Sequence, residues 1–144
     1  MNTDRVRFTV EWLVPVSQAR SMTLALQAVA NATRQVTGCL GCLVSTDFQH
    51  AGHVRYVEDW TSADELRLRA QARSFAPLAR LIEDASRPPR IECTRANGDD
   101  IRLLTRELRD AARDYSERQL ADDRAEFLHR RHKPSLRTRS IQTH

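Results

Sequence analysis

Residues 53–66, HVRYVEDWTSADEL, decide the fold. Val54, Tyr56, Glu58 and Trp60 fall on one side of an alternating run, which predicts a strand over 53–60. Thr61 or Ser62 then caps a helix. If Ser62 is the cap, Glu65 stands at the third helical position and completes a capping box. The helix is expected to run to about Ala72, with a second helical piece over 75–84. Upstream, Gln49 to Gly52 is a short polar loop, and 39–47, CLGCLVSTD, reads as the strand before it, so a hairpin is expected.

The same logic extends outward. Residues 5–14, RVRFTVEWLV, place Val6, Phe8, Val10, Trp12 and Val14 on one face and Arg5, Arg7, Thr9 and Glu11 on the other. Pro15 ends that strand. Ser17 is the expected cap of a helix to about Gln35, with Met22, Leu26, Val29 and Ala30 at helical spacing. Gly38 breaks it. Pro88 and Pro89 precede a fourth strand over 90–95, RIECTR. The order β-α-β-β-α-β is the ferredoxin-like split unit, an α+β fold with an antiparallel sheet. Asn97-Gly98 is a turn, Asp99 is the expected cap of a last helix, and 99–131 holds neither Gly nor Pro. One long helix is expected there, with a thin apolar stripe of Ile101, Leu104, Leu108, Ala111 and Tyr115. The expected parts are a domain over 1–98, a helical extension over 99–132 and a loose basic tail over 133–144.

Composition narrows the class. The chain has 144 residues, of which 40% are apolar and 29% charged, enough for one domain with its own core. No apolar run approaches the roughly 18 residues of a membrane span. The alternating, charged N-terminus is not expected to be a signal peptide, so a cytoplasmic domain is the default. Three cysteines and no export signal point to free thiols. The basic residues are 22 Arg and a single Lys, for a net charge of +4. Their excess gathers at Arg130, Arg131, Lys133, Arg137 and Arg139. No aromatic residues interleave with that tail, so it offers no stacking platform and no nucleic-acid partner is expected. The extension, with six Arg against nine acids over 99–126, reads as a solvated face.

Several pieces of chain, GCLGCLVSTDF from Gly38, VRYVEDWTSADEL from Val54 and SFAPLARLIEDASRPPRIE from Ser74, resemble the antibiotic-biosynthesis monooxygenase superfamily, which includes quinol monooxygenases. The resemblance spans about Phe8 to Gly98. It implies a homodimeric α/β barrel, two four-stranded sheets face to face. It implies a pocket between sheet and helices, lined by Trp60, and a cofactor-independent oxygenation of a polycyclic phenol or quinol. The alternative function is a non-catalytic barrel that binds a small apolar ligand, or a partner protein through the C-terminal helix.

Within that frame the candidate catalytic residues are Trp60, Glu58 and Arg69. Trp60 suits stacking on a flat ligand, with core packing as the competing role. Glu58, inward-facing, is either a base for a phenol proton or half of an ion pair with Arg55, Arg69 or Arg73. Arg69 suits an anionic phenolate or carboxylate. The candidate substrate-binding residues are Trp12, Tyr56, Phe75 and Arg73. Two departures matter. The heme-degrading branch uses an Asn, a Trp and a His where this chain has Trp12, Trp60 and Arg69, so heme is disfavoured. Many quinol-oxidising relatives carry His where this chain has Arg69 and Ser74. No phosphate-binding glycine loop or nucleophile elbow is present, and no cofactor is expected. Cys39 and Cys42, three apart on a strand, are expected on opposite faces, which argues against a shared metal or disulfide. His129 and His132 have no ligand partner arranged beside them, and no metal site is expected.

Overall fold

The computed structural model describes residues 4–47 and 49–132. The strands are β1 (Val6–Leu13), β2 (Cys39–Thr46), β3 (His53–Trp60) and β4 (Arg90–Arg95). The helices are α1 (Val16–Thr33), α2 (Ala63–Gln71), α3 (Ala76–Glu83) and α4 (Arg102–His132). The sheet order is β2-β3-β1-β4, antiparallel throughout. The fold is therefore the expected α+β ferredoxin-like unit with a long C-terminal helix.

Alternation sets the two faces of the sheet. Val6, Phe8, Val10 and Trp12 of β1 and Val54, Tyr56, Glu58 and Trp60 of β3 turn inward and are buried. The helices close over them with Leu26, Val29, Leu66, Phe75, Leu78 and Ile82. Burial of this apolar surface, at about 25 cal/mol per Å², is the main force holding sheet to helices. The outer face is mixed. Arg7 bonds Asp59 across β1 and β3 at 2.8 Å, and Glu11 lies 3.3 Å from both His53 and Arg55.

Ser62 caps α2 as expected, accepting from the Glu65 amide at 3.2 Å. Before it, Gly38 adopts a left-handed backbone, φ 91°, and a Cβ there would stand 2.9 Å from the Glu65 side chain. Two expected caps are corrected. Pro15, not Ser17, sits at the start of α1, where its fixed φ suits the entry and its carbonyl accepts from Gln18. Asp99 does not cap α4. Its backbone bonds back to Arg95 and Asn97 in the turn, and the helix starts at Arg102.

The placement of the cysteines is also corrected. The β2–β3 register shifts between Cys39 and Gly41, so Cys39 pairs with Trp60 and Cys42 with Glu58. Both cysteines therefore share the inward face, because the irregularity adds a residue to the alternation.

α4 packs on its own domain. Leu104, Leu108 and Ala112 are buried in the main core, against α3, α2 and β4. From Leu120 onward the helix is exposed. The first part of the expected extension is thus core, and the expected tail over 133–144 lies outside the described residues. No described helix is long and apolar enough to cross a membrane.

Candidate functional site

The inward end of β3 carries a buried polar cluster. Glu58 is fully buried and accepts three hydrogen bonds. The Tyr56 hydroxyl donates to Oε2 at 2.5 Å, Trp60 Nε1 to Oε1 at 2.9 Å, and Arg69 Nη2 to Oε2 at 3.3 Å. Alternation puts Tyr56, Glu58 and Trp60 side by side; α2, capped by Ser62, brings Arg69 down onto them. Of the three candidate partners of Glu58, the structure selects Arg69. Arg55 belongs to the outer face, beside Glu11, and Arg73 is exposed on the 3-10 turn Arg73–Phe75.

Arg69 is only 2% exposed and reaches two further oxygens. Nη2 donates to Thr33 Oγ1 of α1 at 2.9 Å, and Nη1 to Ser74 Oγ at 3.1 Å. Its guanidinium lies 5.5 Å from the centre of the Phe75 ring. Its Nε alone is buried without an acceptor. Burial, with the nearby charge of Glu58, holds the Tyr56 phenol well above its ordinary pKa, so Tyr56 stays a donor. Burial likewise pushes the Cys42 thiol up to about 12, which keeps it a thiol rather than a nucleophile.

Trp12 joins the same layer from β1, with its indole N–H donating to the Leu81 carbonyl at 3.3 Å. Trp12, Tyr56, Trp60 and Phe75 are each fully buried. The layer between sheet and helices, where a pocket was expected, is filled by the protein's own side chains.

Open volume lies one layer further out. A groove of about 580 Å³ runs between α1, α3 and α4. Ala25, Ala28, Val29 and Ala32 line one wall, Pro77 and Leu81 another, and Tyr115, Ser116 and Gln119 the third, with Arg80 also present. Small alanines on α1 make the hollow. Tyr115 fixes the α4 wall, meeting Phe75 edge-on at 5.8 Å and donating to the Gln71 carbonyl. Ser74 lines this groove while bonding Arg69, and so links the open space to the buried cluster.

Sequence reasoning brought Glu58, Trp60, Tyr56, Arg69 and Phe75 together. It did not place Thr33 or the α4 wall. The pairing of α4 with α1 across the groove is non-local and leaves no mark in the local pattern. No group of three or more metal-ligating side chains forms among the described residues.

No protein-family model matches the chain, and no curated protein matches it. Solved structures do. A Bacteroides thetaiotaomicron protein described as a possible oxidoreductase superposes with TM-score 0.59 at 15% identity, over 65% of this chain and 98% of its own. An antibiotic biosynthesis monooxygenase superposes at 0.54 and 17% identity, over 62% and 95%. A Deinococcus radiodurans protein provisionally given that same name superposes at 0.57 and 23% identity, over 63% and 91%. The chain shares their fold. About a third of it lies outside each match.

Proposed function

We propose that this protein binds a polycyclic phenol or quinol in the groove between α1, α3 and α4 and promotes its oxygenation by dioxygen without a bound cofactor. The observation that carries this reading is the bond from buried Arg69 to Ser74, at the wall of an apolar groove. A phenolic oxygen set against Ser74 Oγ meets a hydroxyl polarised by a guanidinium held away from water. Negative charge developing on that oxygen is stabilised there. Arg69 and Ser74 orient and polarise the substrate. Glu58, its acceptors taken by Tyr56, Trp60 and Arg69, holds Arg69 in place and is not itself the base. The apolar walls exclude water and align the ring. For an anthrone the overall change is a methylene and O2 giving a carbonyl and water, with both reducing electron pairs drawn from the substrate.

The names of the fold's relatives support the class of reaction, not this substrate. The mixed outer face of the sheet suits a second copy facing it across a wet interface, so we infer a homodimer. Three free thiols suit a reducing, cytoplasmic setting. The saturation of Glu58 favours one second reading, a non-catalytic carrier of the same ligand.

The test is oxygen uptake with anthrones and dihydroxynaphthalenes, beside tryptophan quenching for binding. Uptake above autoxidation that drops in Ser74→Ala supports the proposal. Saturable quenching without uptake leaves the carrier. Neither signal in any ligand rejects both.

A further inference from the structure

Helix α4 has two faces of unlike chemistry. Leu104, Leu108 and Ala112 bury one against the domain. On the other stand Arg102, Arg106, Arg109 and Arg113, then Leu120, Arg124, Phe127 and Arg131, all exposed. Their steps of four, three and four residues, resumed after a step of seven, keep them on one side of the helix. At a rise of 1.5 Å per residue the row is about 44 Å long. At 100° per residue, Glu107, Asp114, Asp122, Asp123 and Glu126 project off the row, and only Asp110 and Glu117 border it. Among the described residues, none of the six arginines lies within salt-bridge distance of a carboxylate. The first four also wall a groove of about 470 Å³ against β4. Arg90 adds a fifth guanidinium there, with Glu92, Asp100 and Asp110 as the acids.

We propose that this face of α4 binds the phosphodiester backbone of a nucleic acid without reading its sequence. Guanidiniums every 4.5–6 Å along a straight row, taken from the 1.5 Å rise, suit a regularly charged polymer better than a single anion. Arginine grips phosphate with two parallel donors, and no existing ion pair must be broken. A bilayer surface fits less well. Leu120, Phe127 and Leu128 occupy only the distal part, and no continuous apolar face accompanies the arginines. The row is a separate surface from the basic tail, on which the expectation of no such partner rested. Counting the charges of the helix conceals the row, and projecting them at 100° reveals it. The inference is independent of the oxygenation reading.

The experiment is fluorescence anisotropy of a labelled 20-nucleotide single strand and its duplex with the full chain at 50 and 200 mM salt. Saturable binding that weakens on the order of 10²–10³-fold between those salts, as four to six phosphate contacts require, supports the proposal. The triple variant Arg102→Glu/Arg106→Glu/Arg113→Glu should lose more than tenfold in affinity with its helical circular dichroism intact. The exposed controls Arg20→Glu and Arg87→Glu should bind as wild type. Four results overturn it. They are absence of saturable binding at 50 mM salt, equal loss in the controls, complete loss on removing residues 133–144 alone, and binding to phosphatidylserine vesicles with none to either oligonucleotide.

Discussion

Arg69 Nη2 lies 3.3 Å from Glu58 Oε2, and neither side chain reaches solvent beyond 1%. Desolvation of both charges offsets much of their attraction, so the pair itself adds little net stability. Removing one member is different, because the other is left charged and buried. Arg69→Met should cost roughly 3–5 kcal/mol in chemical denaturation. Adding Glu58→Gln to that variant should recover part of the loss, since a neutral amide is less costly to bury. A double variant as unstable as the sum of the two singles would show that the residues do not act as a pair.

The inward position of Glu58 was legible because a strand's period of two cannot be mistaken over eight residues. Its partner was not, because Arg55, Arg69 and Arg73 are equivalent on paper and only the docking of α2 separates them. The shared face of Cys39 and Cys42 was hidden for a related reason. Register between β2 and β3 is a property of two strands, and one irregularity reverses a parity count. The hollow between α1 and α4 was equally invisible. The alanines of α1 read as ordinary helix formers until Tyr115 is seen across from them.

Alkaline pH should destabilise the fold earlier than its surface charges alone would. Burial pushes the Cys42 and Cys93 thiols up to about 12, and it raises Tyr56 further with help from the charge of Glu58. The folded state thus keeps protons that the unfolded chain releases from about pH 9 to 10. Stability should be intact below about pH 9 and fall as pH rises through the folded-state values. Urea midpoints at pH 8, 9.5 and 10.5 measure this. Cys42→Ala with Cys93→Ala should flatten the slope, and a midpoint already constant across that range in wild type would refute the assignment.

The first turns of α4 should behave as core. Leu104 and Leu108 are at most 1% exposed. Leu108→Ala should cost about 2–5 kcal/mol through lost transfer energy and the cavity left behind. Leu120→Ala, on the exposed part, should stay within about 0.5 kcal/mol. Similar losses in the two would mean that the distal helix is packed in solution, against a second copy or another partner.

The groove can be closed without touching the core. Ala28 lines it from an exposed position on α1. Ala28→Trp should therefore leave the denaturation midpoint within about 0.5 kcal/mol of wild type. It should weaken anthrone or dihydroxynaphthalene quenching at least tenfold if those ligands sit where Ser74 meets the open space. Undiminished binding in that variant would move the ligand elsewhere.

Gly52 and Gly41 make a matched pair for the β2–β3 hairpin. A Cβ at Gly52 would stand 2.2 Å from the Val14 carbonyl oxygen, while one at Gly41 meets nothing within 4 Å. The clash at Gly52 is with backbone, and the Val14 amide also donates to the Gly52 carbonyl at 2.8 Å. No rotamer relieves it, so either the end of β1 or the hairpin must shift. The pairing of Leu13 with His53, and with it the Glu11 contacts on the outer face, moves too. Gly52→Ala should cost about 1–3 kcal/mol, the usual range for overpacking. Gly41→Ala should be neutral or stabilise by up to about 1 kcal/mol, since it restricts the unfolded chain without strain. Equal denaturation midpoints for the two variants would show that the hairpin does not approach β1 as closely as described.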